Sequence, residues 1–242
     1  MLPKIDVPMY ELKLVSLKKP IRFRPFTVKE EKLFLMANES KEEETIVGTV
    51  KQVINNCVID DLDVETLPVF DLEYLFINLR AKSVGEEVKL NYQCNNDIEE
   101  DGKTKKCGNA VKFTLNLLDV KPEAEKNHSN KIELSDKLGI VMKYPKLNFI
   151  AGQENKTDTE IILDLIVDCI DYIYDENQMY YAKDSTRQEL VDFVDSLQSK
   201  DLEKIKSFFE TMPKIKKQLD FKCSKCGYEE KVMLEGIQNF FV

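Results

Sequence analysis

The chain has 242 residues, of which 43% are hydrophobic and 33% charged, with a formal net charge of −9. That much apolar material supports a buried core in one large domain or two small ones, while the acidic balance repels phosphate and argues against a general nucleic-acid binder. No apolar run approaches the roughly 20 residues that cross a bilayer, and the start Met1-Leu2-Pro3-Lys4 lacks a signal-peptide core, so a soluble protein made in a reducing compartment, with no membrane partner, is expected.

Residues 1–26 read as an extended arm followed by a β-hairpin. Tyr10, Leu12 and Leu14 alternate with Glu11 and Lys13, Ile21 and Phe23 alternate with Arg22 and Arg24, and Lys18-Lys19-Pro20 lies between. Arg22, Arg24 and Lys29 form a small basic cluster, readable either as a solvated strand face or as a surface for an acidic partner. Residues 27–84 read as a helical region. Thr27 followed three residues later by Glu30 is a capping box that opens a helix from about Val28 to Asn38, with Leu33, Phe34 and Ala37 on one face. Ile46, Val50, Val53, Ile54 and Cys57 step by three and four along a second helix, and Leu67 to Lys82 forms a third with Leu72, Leu75, Phe76 and Leu79 as its buried stripe.

Residues 85–118 and 216–242 carry the most specific motif. Cys223 and Cys226 are two positions beyond adjacency, with Gly227 directly after, the form of a zinc knuckle in which a turn aims two thiolates at one metal. A structural zinc takes four ligands, and Cys94 and Cys107, the latter followed by Gly108, are the expected second pair. Val88, Leu90 and Tyr92 alternate up to Cys94, and Val111, Phe113 and Leu115 lead away from Cys107; Leu219 and Phe221 enter the second knuckle and Val232 and Leu234 leave it. Two hairpins that each present two cysteines make a zinc ribbon, its first turn widened by the insert Asn95 to Lys106. Cys94, Cys107, Cys223 and Cys226 on one structural Zn2+ leave no position open for water. Cys57 and Cys169 fall on apolar helix faces, and His128, the sole histidine, reads as a solvated loop residue.

Residues 119–215 interrupt the ribbon. Ile132, Leu134, Ile140 and Met142 flank Asp136-Lys137-Leu138-Gly139 as a hairpin, and three helices follow. Ile162, Leu165, Ile166, Cys169, Ile170 and Ile173 mark the first; Leu190, Phe193, Val194 and Leu197, behind a Ser185–Gln188 capping box, mark the second; and Leu202, Ile205, Phe208 and Phe209, closed by Pro213, mark the third. The expected fold is therefore α+β, a helical bundle-like core with β-hairpins and a split four-cysteine zinc ribbon.

No phosphate-cradling glycine loop, G-x-S-x-G or carboxylate motif is present, so no enzyme and no small-molecule substrate are expected. The opening Leu2-Pro3-Lys4, Pro8, Tyr10-Glu11-Leu12 and Ile21-Arg22-Phe23-Arg24-Pro25-Phe26-Thr27-Val28-Lys29-Glu30-Glu31-Lys32, with the Cys-x-x-Cys-Gly knuckle and the ending Leu234-Glu235-Gly236-Ile237-Gln238-Asn239-Phe240-Phe241, resembles the T4-type tailed-phage baseplate hub proteins. The resemblance implies a structural or assembly component of a contractile-tail baseplate, located in the virion and assembled in the host cytoplasm. Its implied partners are other hub and wedge proteins, with Arg22, Arg24, Phe26, Phe240 and Phe241 as partner-binding positions. The alternative is a transcription-factor-like zinc ribbon that binds nucleic acid; it requires a basic face beside the knuckles, whereas Lys222, Lys225 and Lys231 are matched by Glu229, Glu230 and Glu235.

Overall fold

The computed structural model describes residues 5–40, 43–100, 102–147 and 156–236. The first four residues of the expected arm, and Phe240 and Phe241 of the apolar end, lie outside the described residues. The chain is mixed α+β, with antiparallel strand pairs, and divides into two compact units. Residues 1–64, 70–122 and 214–242 form the first; residues 65–69 and 123–213 form the second.

In the first unit β1 (Tyr10–Leu12) pairs with β2 (Ile21–Phe23), Tyr10 opposite Phe23 and Leu12 opposite Ile21, and the alternation buries Leu12, Ile21 and Phe23. Helix α1 (Val28–Ser40) begins where the Glu30 carboxylate turns back to accept the Thr27 N–H at 2.8 Å. Helix α2 (Glu43–Cys57) buries Val53, Ile54 and Cys57 on the three-and-four spacing. Helix α3 (Val69–Ser83) is enclosed nearly all round: Phe70, Tyr74 and Ile77 are buried as well as the predicted stripe, the pattern of a central core helix. Asp71 in its first turn is fully buried, and its carboxylate accepts the backbone N–H groups of Val15 at 2.8 Å and Ser16 at 2.7 Å. Two N–H donors and the positive end of the helix dipole together offset the desolvation of that charge. Strand β3 (Glu87–Gln93) pairs with β6 (Ala110–Asn116), and the insert between them folds into a hairpin of its own, β4 (Asp97–Glu100) with β5 (Lys103–Lys106). A two-residue strand, β7 (Pro122–Glu123), follows.

Among the described residues, the second unit is a four-stranded antiparallel sheet with three helices. Strands β8 (Lys131–Glu133), β9 (Gly139–Met142), β10 (Ile170–Tyr174) and β11 (Met179–Tyr181) lie in the order β11-β10-β9-β8. The helices are α4 (Asp158–Asp168), α5 (Arg187–Asp195) and α6 (Ser199–Thr211), and the core joins Ile140, Met142, Ile166, Ile170, Ile205 and Phe208. Here the sequence expectation needs correction, because the helix predicted to run through Ile173 stops at Asp168 and Ile170 to Tyr174 form a strand. A β-bulge between Ile170 and Tyr172 places one extra residue in β10, so Ile170 and Ile173, three apart, both face the core. A bulged strand thus reproduces the spacing of a helix. The α5 box is Thr186 with Glu189, one residue later than expected, and α4 opens on a Thr157–Glu160 box of the same kind. His128 is half-buried rather than solvated, its ring against Tyr144 and Phe208 and its nitrogens hydrogen-bonded to Thr211 Oγ1 and the Tyr144 hydroxyl, each at 3.0 Å. Beside it the Glu125 N–H donates to the Thr211 carbonyl at 3.0 Å, which ties the two ends of this unit together. The chain then returns to the first unit as β12 (Lys214–Lys222) paired with β13 (Glu229–Glu235).

Gly139 sits opposite Tyr174 in the β9–β10 pair, and a Cβ at this glycine would collide with the tyrosine ring and its hydroxyl. Gly139→Ala is expected to destabilise the protein by about 1–3 kcal/mol through overpacking, measured by urea denaturation, and Tyr174→Val in the same chain is expected to recover most of the loss.

Candidate metal centre

Two loops bring four cysteines together. At the end of the β3–β6 pair the Cys94 N–H donates to the Asn109 carbonyl at 2.9 Å and the Cys107 N–H donates to the Asn96 carbonyl at 2.8 Å, so the two cysteines face each other across a closed loop. Gly108 takes a φ of 64° there, and Gly227 a φ of 74° after the second pair, the left-handed turn that suits glycine. In the β12–β13 loop the Cys223 N–H donates to the Tyr228 carbonyl at 2.8 Å, and the Gly227 N–H to the Cys223 carbonyl at 3.0 Å. The sulfurs of Cys94 and Cys226 stand 3.7 Å apart, as do those of Cys107 and Cys223, and all four lie within 4.8 Å of one another.

These distances suit one tetrahedral ion. Thiolates at the Zn–S distance of about 2.3 Å stand about 3.8 Å apart along a tetrahedron's edges, close to the two shorter separations. Cys94, Cys107 and Cys223 are buried and Cys226 is half-buried, over a floor formed by Phe221, 1% exposed, with Tyr92 and Phe113 at ring-centroid distances of 5.1 and 6.2 Å. Hydrogen-bond donors also converge on the sulfurs. Backbone N–H groups of Asn96 and Asn109 point at Cys94 and Cys107, and those of Cys226 and Lys225 at Cys223. The Asn96 side chain donates across to the Cys226 sulfur at 3.8 Å, and the Asn109 side chain to the Cys223 sulfur at 3.5 Å.

The electrostatics separate the thiols. Donation from the Cys226 and Lys225 N–H groups and from neighbouring thiols holds Cys223 down at about 6, whereas burial pushes Cys94 up to about 12. At Cys107 the Asn109 N–H acts downward, but burial and the Cys226 and Cys223 thiols outweigh it and the net shift is upward. One thiolate forms readily and the next meets its repulsion, so a cation is what would allow all four to ionise. Burial lifts the other two thiols, Cys57 to about 11 and Cys169 to about 12, as expected of cysteines used as core residues.

The structure therefore brings together all four cysteines that the sequence singled out, and adds two donors that it did not. The signal for Asn96 and Asn109 was present as a repeated Cys-x-Asn, Cys94-Asn95-Asn96 and Cys107-Gly108-Asn109. Three lysines near the cluster are matched by carboxylates, Lys105 by Glu100 at 2.6 Å, Lys106 by Asp97 at 2.9 Å and Lys222 by Glu229, whereas Lys225 and Lys231 have no ion pair among the described residues and Glu235 pairs with Lys214 at 3.3 Å.

Arg22, Arg24 and Phe26 lie elsewhere in the first unit. The Arg22 guanidinium bonds Asp60 at 2.7 and 3.0 Å and is half exposed. The Arg24 guanidinium donates to the Glu30 carboxylate at 3.0 Å and to the carbonyls of Asn56 and Pro25, each at 2.9 Å. The Phe26 N–H donates to Ser83 Oγ at 2.8 Å and its ring meets Phe34 edge-on at 5.8 Å. Arg24 and Phe26 are thus engaged within the fold. Glu30, 1% exposed, is held well below the usual carboxylate range, at about 2: burial acts upward, but hydrogen bonds from Arg24 and Thr27 outweigh it.

A family model described as "T4 bacteriophage base plate protein" matches residues 7–242. No curated protein and no solved structure gives a match.

Because Glu30 has a folded-state pKa of about 2 against an ordinary 4.5, its ionisation favours the folded state above pH 4.5, and that contribution fades as pH falls towards 2. Glu30→Gln is expected to lose about 3 kcal/mol near neutral pH, with the gap between variant and parent closing on acidification. Denaturant titrations of both proteins across that range measure it.

Proposed function

The chain belongs to the T4 bacteriophage base plate protein family, and on that premise we propose that it is a structural or assembly component of the baseplate hub whose fold is fastened by one zinc ion. The observation that carries the reading is the reach of the family match, residues 7–242, which takes in both compact units and all four clustered cysteines. A protein in this role works through contacts with neighbouring baseplate proteins, and hub and wedge subunits are the proposed partners. The amino-terminal residues from Arg22 to Lys32 support the hub assignment by their resemblance to hub proteins.

Cys94, Cys107, Cys223 and Cys226 would hold the zinc, with Asn96 and Asn109 donating to the outer side of two sulfurs. A bound zinc supplies a crosslink here rather than chemistry, since four thiolates complete its coordination. The chain's own residues exclude water with the Phe221, Tyr92 and Phe113 rings and fix the loops with backbone hydrogen bonds. The transcription-factor reading is disfavoured by the ion-paired lysines, because a phosphate would have to displace the carboxylates of Glu100, Asp97 and Glu229.

Metal analysis of the purified protein is expected to find about one zinc per chain, as structural zinc requires. Cys226→Ser is expected to lose it and to melt far lower, since zinc-binding energies on the order of 10 kcal/mol are folding energies in such sites. Asn109→Ala is expected to keep the fold and weaken zinc retention about 10- to 100-fold against a chelator; a metal-free, fully stable parent protein would overturn the zinc reading. For the hub role, disruption of the gene in the phage is expected to yield tails that lack a completed baseplate. Normal baseplates from such a phage would overturn that part.

A further inference from the structure

Helix α1 is apolar on two opposite faces. Ala37 is buried on one side and Leu33 and Phe34 are half-buried there, with the Glu30 carboxylate beneath them. On the other side Val28, Leu35 and Met36 are 65%, 61% and 68% exposed. At about 100° per residue, Val28, Lys32, Leu35, Met36 and Glu39 fall within one arc of about 100°. The exposed stripe therefore points away from the core, and within the chain nothing described covers it.

The charges on this stripe say what could. Lys32 lies three residues before Leu35, and Glu39 three residues after Met36. Turn the helix about a two-fold axis that passes between Leu35 and Met36, and Leu35 meets Met36 while Lys32 meets Glu39, once on each side. Both charged side chains are exposed and neither has an ion-pair partner among the described residues. A pattern that is its own complement under a two-fold is what an isologous contact requires. We propose that the exposed face of α1 is an antiparallel self-association surface, whose occupant is the same helix of a second copy of this chain. The helix dipoles oppose each other in that arrangement, which favours it slightly. Three apolar side chains per copy make a contact smaller than the roughly 1,200 Å² of a stable complex, so the pair is weak in dilute solution and populated when copies are concentrated together.

Sedimentation equilibrium of the full-length, metal-loaded protein over a dilution series tests this. The parent is expected to move from monomer towards dimer as concentration rises, and Leu35→Glu, at an exposed site, is expected to stay monomeric with an unchanged melting curve. Lys32→Glu and Glu39→Lys are each expected to weaken the dimer by about tenfold, because each breaks both symmetry-related pairs and sets like charges opposite one another. The double variant, Lys32→Glu with Glu39→Lys, restores the pairing with the signs exchanged and is expected to recover the parent's affinity. A parent that is monomeric throughout, a dimer indifferent to Leu35→Glu, or a double variant no better than the singles would each overturn the proposal.

Discussion

Four sulfurs must arrive at one point, and they come from parts of the chain far apart: Cys94 and Cys226 are separated by 132 positions, Cys107 and Cys223 by 116. Such a closure is less costly than its length suggests. Loop-closure entropy grows only with the logarithm of length, about 0.6 kcal/mol per doubling, so a loop this long costs about 2 kcal/mol more than one of fifteen residues. Even that overstates the cost, since the Glu125–Thr211 hydrogen bond holds the ends of the inserted unit side by side. Once that unit is folded, β12 starts close to where the chain left off, and the long loop behaves as a short one.

The amino-terminal residues that carry the family resemblance form a clamp. Arg24 reaches Glu30, Glu30 receives the N–H and hydroxyl of Thr27, Phe26 is fastened to Ser83 by its N–H, and the Phe26, Phe34 and Phe76 rings follow in sequence at 5.8 and 5.3 Å. Each member of the string Arg-Pro-Phe-Thr-x-x-Glu thus has an internal partner. The motif joins the β1–β2 hairpin to the start of α1 through contacts of its own side chains. These pairings depend on tertiary contact: the carbonyl of Asn56 and the hydroxyl of Ser83 are distant in sequence.

What the sequence disclosed divides along the same line. Local rules read well: the β1–β2 and β8–β9 hairpins follow their alternation, and α2, α5 and α6 follow their three-and-four spacing. The cysteine set was legible at long range because thiols in glycine-ended pairs are rare enough to point at one another, and the structure gathers all four. Strand β10 was misread because its bulge gives a helical spacing, and β11 was missed because Met179, Tyr180 and Tyr181 are all exposed and show no alternation. The β4–β5 hairpin was invisible for a similar reason. Its residues are almost all polar, and its partner strands are joined by cross-strand charge pairs rather than by a buried face.

The split of the cysteine cluster also sets an order in time. A ribosome that has just made Cys107 must add 116 further residues before Cys223 exists, which takes roughly 6–23 s at about 5–20 residues per second. Throughout that interval residues 123–213 of the second unit are synthesised, while the first unit still lacks two of its sulfurs and its β12–β13 pair. The part of the molecule encoded in the middle is therefore free to fold first, and the part encoded first is completed last. A nascent chain released before Cys223 carries Cys94 and Cys107 without the two sulfurs that complete the cluster.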